Sequence, residues 1–138
     1  MKIYQKGDKK LLNAWAFYDW ANSVYPLVIS TAIFPIYYGF ITNESKYIEF
    51  LGFNFKNTAL ITFVTAIAFM FLVFITPLLS GVADYTGLKK TFMKFFCFMG
   101  SVATISLYWF DIDNLTFGLL FYFLAMIGFW GSLVFYNS

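Results

Sequence analysis

The side chains best suited to chemistry in this chain lie in WAFYDWANSVYP, residues 15 to 26, where a carboxylate, a carboxamide and two phenols sit among apolar and aromatic neighbours. At helical spacing Asp19, Asn22 and Pro26 fall at i, i+3 and i+7 and share one face, and Tyr18, Asn22 and Tyr25 form an overlapping stripe. Groups of this kind on a membrane helix can bind a polar solute, carry a coupling proton, or gate against another helix. A carboxylate at the bilayer centre costs about 2.5 to 3.5 kcal/mol on insertion scales, so it normally faces a cavity or a partner. Nearer the headgroups that argument weakens. If the hydrocarbon begins at about Ala21, Asp19 is an interfacial residue in an aromatic belt with Trp15 and Trp20. Spacing alone leaves the structural, substrate-binding and gating readings open.

A second polar stretch, PLLSGVADYTGLKKTF, runs from Pro77 to Phe92. Asp84 to Gly87 has the Asp-x-x-Gly form of a tight turn, and Lys89, Lys90 and Lys94 follow it. Read plainly, this is a turn followed by topology charges. Other chemistry is excluded by composition. The chain has no histidine, so the usual imidazole ligand and neutral-pH base are missing. It has no glycine-rich-lysine nucleotide cradle, and Asp111 and Asp113 are a lone pair that ends a span in water. Cys97 is the single cysteine and reads as a small buried apolar residue. No enzyme activity, cofactor, metal site or nucleic-acid partner is expected.

The elements that position these residues follow from hydropathy. Of 138 residues, 61% are hydrophobic and 12% charged, more apolar surface than a small soluble domain can hide. Four runs nearly free of charge approach the roughly 20 residues that cross a hydrocarbon core of about 30 Å. Backbone groups in lipid must be satisfied within each segment, so the runs are helices, at about 14–40, 58–82, 91–110 and 116–136. The first run is too long for a cleaved signal peptide. Pro26 and Pro35 lie inside it and predict a bend. Residues 42 to 57 read as a short external segment at the interface, and the short connections predict antiparallel neighbouring helices. Small residues at Gly100 and Thr104, and at Gly128 and Ser132, predict close helix packing. Lys2, Lys6, Lys9 and Lys10 precede the first span, Lys46 and Lys56 lie between the first and second, and Lys89, Lys90 and Lys94 follow the second, whereas the loop after the third has none. By the positive-inside rule the N-terminus and second loop are cytoplasmic.

Two stretches carry a family resemblance. NAWAFYDWANSVYPLVISTAIFPIYY, Asn13 to Tyr38, resembles the first-helix signature of the vacuolar-effluxer-like branch of the major facilitator superfamily, most specifically at Tyr18-Asp19-Trp20-Ala21-Asn22-Ser23. The second loop is similar to the superfamily's glycine-x-x-x-aspartate-arginine-x-glycine-arginine-lysine, with Asp84, Gly87 and Lys89 in matching places and Lys90 beside them. It departs where Ser80 takes the first glycine's place with Gly81 one residue late, and where Tyr85 and Leu88 replace the arginines. The closing FYNS, with Asn137, looks like the end of the branch's fourth helix.

The resemblance implies an all-α, polytopic membrane protein whose four transmembrane helices form the start of a twelve-helix transporter working by alternating access. Tyr18, Asp19, Asn22, Tyr25 and Asn137 become substrate or gating candidates. Asp84 would help lock the cytoplasmic side, a latch weakened by the missing arginines. The implied activity is efflux of small solutes such as amino acids, in a bacterial plasma membrane or a vacuolar one. Four helices supply one three-helix repeat and the first helix of the next. The chain is therefore expected to be a truncated or partial sequence, inactive alone, with membrane lipid, the missing C-terminal helices and an unknown small solute as partners. Two other classes compete: a complete four-helix, proton-coupled efflux protein acting as a dimer through Asp19, and a non-transporting membrane scaffold.

Overall fold

The computed structural model of the chain describes residues 9–43, 47–50 and 52–136. Lys2, Lys6, Lys46 and Asn137 lie outside the described residues. Four helices are long and apolar enough to cross a membrane. They are α1, Lys9–Ile41; α2, Asn57–Thr86; α3, Lys89–Ser106; and α4, Leu115–Tyr136. Short 3-10 turns, Leu107–Trp109 and Ile112–Asn114, link α3 to α4. Between α1 and α2 lies a small antiparallel hairpin of β1, Tyr47–Phe50, and β2, Phe53–Lys56, which pairs Tyr47 with Lys56 and Phe50 with Phe53. The expected external segment thus has internal order. Its cue is in the sequence: two aromatic, β-prone runs separated by a two-residue turn whose second member, Gly52, has φ 80°.

The chain divides into two compact units, one ending at Tyr38 and the other beginning at Gly39. In the first, α1 is not uniform. Lys9–Val24 and Phe34–Ile41 are α-helical, and the Tyr25–Ile33 stretch between them is a π-helix. Pro26 lacks the N–H that an α-helix would give to the carbonyl four residues back. The turns widen there: the Phe34 N–H donates to Ile29 O, five residues back, and the Thr31 hydroxyl donates to Pro26 O at 2.5 Å. π-Helical turns are rare and frequently mark functional sites.

In the second unit α4 is the central element. It packs closely against α3 and also against α2, whereas α2 and α3 barely meet. Adjacency along the chain therefore predicts the α3–α4 pair correctly and the α2–α3 pair wrongly. The reason is the small-residue pattern. A β-carbon on Gly128 would lie 2.5 Å from the Cα of Gly100, and one on Gly100 would lie 3.3 Å from that of Gly128. Only paired glycines allow so close an approach. Around the crossing, Ala103 and Ala125 are buried, as is Ser132, whose hydroxyl donates to Phe129 O at 2.7 Å. Phe96 stacks on Phe135 at 5.8 Å, and Phe92 also stacks on Phe135, at 5.5 Å. Against α2, the ring pairs are Phe69 with Trp130 and Phe71 with Phe123.

Candidate functional site

The first candidate region is the α-helical opening of α1. None of the residues of Lys9–Val24 is buried, but exposure is uneven. Tyr18, Asn22 and Tyr25 are half-buried, whereas Asp19 and Ser23 are exposed. Of the two overlapping faces, the Tyr18, Asn22 and Tyr25 stripe is thus the less exposed, and Asp19 stands beside it toward the surroundings. The Ser23 hydroxyl donates to the backbone carbonyl of Asp19 at 3.2 Å, which leaves the carboxylate out of that bond. Phe17 and Trp20 lie with ring centroids 5.8 Å apart, in keeping with an aromatic interfacial belt.

Asn22 is the unusual residue of this stripe. Its Nδ2 is buried and has no hydrogen-bond partner among the described residues. A buried amide donor without a partner costs about 1 to 3 kcal/mol, so an added acceptor would stabilise it. Pro26 compounds the effect, because it supplies no N–H to the Asn22 carbonyl. One residue therefore presents an unused side-chain donor beside a backbone acceptor that lacks its α-helical donor. These two groups border the π-helical stretch. Sequence spacing selects Asn22; its missing partner is visible only in three dimensions.

The second candidate region joins α2 to α3. At about 1.5 Å per residue the 30 residues of α2 extend about 45 Å, well beyond a hydrocarbon core, so its last turns emerge from the apolar layer. Asp84 lies in that last stretch and not in a turn, since the helix continues to Thr86, whose hydroxyl donates to Val82 O at 2.8 Å. The break comes at Gly87, with φ 68°, a left-handed cap that suits glycine. Leu88 then accepts from the Thr91 N–H at 2.9 Å as α3 begins. The fold brings Asp84 and Lys89 together across this cap, with Lys89 Nζ 2.6 Å from Asp84 Oδ1. Both side chains are more than a third exposed, so the pair contributes little to stability and mainly orients the carboxylate. Gly81 is not part of the turn: it is an exposed residue within α2. Lys90 is exposed at the start of α3.

Clefts in the second unit bear on the chemistry. One, of about 350 Å³, lies among α2, α3 and α4 and is lined by groups such as Phe71, Ile75, Phe123 and Ile127, with Thr76 its single hydroxyl-bearing residue. It is apolar packing space. The other, also about 350 Å³, lies between the hairpin and the start of α4 and includes Thr42, Glu49, Asp113 and Thr116. Asp111 is elsewhere engaged, its Oδ1 accepting from the Ile112 N–H at 2.7 Å. Among the described residues no group of three or more acidic, cysteine or histidine side chains could hold a metal ion.

With four membrane helices and these two polar regions in view, similarity to known proteins becomes informative. Residues 7–138 match the family model described as vacuole effluxer Atg22 like. An uncharacterized MFS-type transporter, YxiO, of Bacillus subtilis (strain 168) is 37% identical over 126 residues, which cover 91% of this chain and 28% of that relative. The chain thus spans less than a third of the length of the curated relative it matches. No solved structure matches. A family match over nearly the whole chain, on a set of four membrane-spanning helices, places this integral, multi-pass membrane protein in the vacuole effluxer Atg22-like family of major facilitator transporters.

Proposed function

We propose that the chain forms the opening four helices of a secondary active transporter that exports small solutes such as amino acids by alternating access, and that it does not transport alone. The observation that carries this reading is the family match over residues 7–138 combined with the 28% share of a much longer transporter. Tyr18, Asp19, Asn22 and Tyr25 then serve as solute-binding or gating groups. Asn22 is the strongest of them, because its unpartnered amide needs an acceptor that a solute carboxylate or a helix of the remaining polypeptide can supply. Asp84, held by Lys89, presents a carboxylate at the end of α2 that can lock one side of the transporter against its other half.

The orientation proposed puts the N-terminus and the α2–α3 cap in the cytoplasm. Lys9, Lys10, Lys89, Lys90 and Lys94 mark these ends, while the α3–α4 connection carries Asp111 and Asp113 and no lysine. A bacterial plasma membrane is the proposed location, in line with the bacterial relative. Counterflow of a radiolabelled amino-acid mixture in reconstituted vesicles tests the function. Flux is expected with the transporter of full relative length, lost by about tenfold or more in its Asn22→Val form, and absent with this chain alone. Flux by the chain alone would overturn the reading.

A further inference from the structure

One face of α3 has no role in the packing of the second unit. Phe95, Phe98, Val102 and Ile105 are 60%, 72%, 44% and 65% exposed and follow one another at intervals of three and four residues, so they form a continuous apolar stripe. The stripe ends at Tyr108 and Trp109, which are also exposed, a pair suited to one membrane interface. At its opposite end stand Lys90 and Lys94, both exposed, one turn apart on the same side of the helix. From Lys90 to Trp109 the rise is about 28 Å, close to the hydrocarbon thickness. The face is matched to one leaflet-to-leaflet crossing.

The three lysines of this region are not equivalent. Lys89 is held by Asp84 at 2.6 Å, which neutralises it locally. Lys90 and Lys94 enter no salt bridge among the described residues, so two ammonium groups head an apolar stripe without a protein counter-charge. Lysine stems run along apolar surface while the charged head stays at the interface. We propose that Lys90 and Lys94, together with the Phe98 side of α3, form a seat for an anionic glycerophospholipid, its phosphate between the two ammonium groups and an acyl chain along the stripe. Charge complementarity selects the headgroup, and the exposed phenylalanines supply contact for the chain. This does not depend on transport; it requires only that the four helices span a bilayer.

The test uses the full chain in nanodiscs, carrying Cys97→Ala and a fluorophore on S101C, an exposed position seven residues beyond Lys94 on the same side of α3. Quenching by brominated phosphatidylglycerol is compared with quenching by brominated phosphatidylcholine at equal mole fraction, and circular dichroism reports the helix content of each variant. The preference for the anionic lipid is expected to be on the order of tenfold, since each lysine near an anionic headgroup contributes a modest attraction. Lys90→Gln with Lys94→Gln should abolish it, whereas Lys90→Arg with Lys94→Arg should retain it. Lys9→Gln with Lys10→Gln should leave it unchanged. Soluble glycerol phosphate should not displace the lipid. Equal quenching by the two lipids in the unaltered chain, survival of the preference in the double glutamine variant, or equal loss in the Lys9 and Lys10 variant would each overturn the assignment.

Discussion

Helix α4 buries eleven of its 22 residues, whereas the opening segment of α1, Lys9–Val24, buries none. Both belong to helices apolar enough to cross a membrane. The contrast lies in how their small and polar residues are used. In α4, Gly128, Gly131 and Ser132 bring backbones together, and the Ser132 hydroxyl is satisfied by its own helix. In α1 the Ser23 and Thr31 hydroxyls bond to carbonyls of their own helix, while Asp19 is exposed and Asn22 keeps a buried amide nitrogen without a partner among the described residues. One helix is saturated by its neighbours, and the other carries unspent polar capacity. This is the pattern expected when α4 holds its unit together through close packing.

The largest expected effect comes from breaking the saturated side. Gly128→Leu drives a branched side chain into the Gly100 backbone and should destabilise the α3–α4 pair by about 3 kcal/mol or more, read as the midpoint of denaturant unfolding in mixed micelles. Near-unchanged unfolding would mean that the close glycine contact does not anchor the unit. Next comes the cap between α2 and α3, where Gly87→Val forces a β-branched residue to φ 68° and should cost about 1 to 2 kcal/mol in the same assay. Asn22→Leu sharpens the comparison by its sign. Removal of an unpartnered amide should stabilise α1 by up to about 1 kcal/mol in the chain alone, and a marked loss of stability would show that Asn22 is already satisfied. The smallest effect belongs to Lys89→Gln, which should change stability by about 0.5 kcal/mol or less because the ion pair is exposed, while freeing the Asp84 carboxylate. A large thermal shift in that variant would contradict the orienting role given to Lys89.

Much of the architecture was legible beforehand. Long uncharged runs require helices in lipid, and four helices long and apolar enough to cross a membrane are present, with α2 running on to Thr86. The Gly100 and Gly128 spacings announced a close crossing, and their mutual approach fulfils it. The hairpin was also within reach, through its X-Gly turn, but its strands sit between two dominant hydropathy peaks that draw attention away from them. The π stretch was only half legible: the prolines mark where the α pattern fails but not whether the helix bends or widens.

The candidate site divides in the same manner. Tyr18, Asp19, Asn22, Tyr25, Asp84 and Lys89 could be chosen from residue type and spacing, because few polar groups occur in apolar helices without a reason. Which of them retain unused bonding capacity could not be read this way, since hydrogen bonds and ion pairs depend on distances between atoms far apart along the chain. By itself the sequence determined that the chain is a set of membrane helices with one polar entry segment and one basic turn, because transfer from water to lipid sums over residues regardless of their neighbours. Only the tertiary structure decided that α4 lies between α2 and α3, that Asp84 is held by Lys89, and that the Asn22 amide nitrogen has no partner among the described residues. Packing and pairing are properties of facing surfaces, and a linear pattern specifies a face without specifying what meets it.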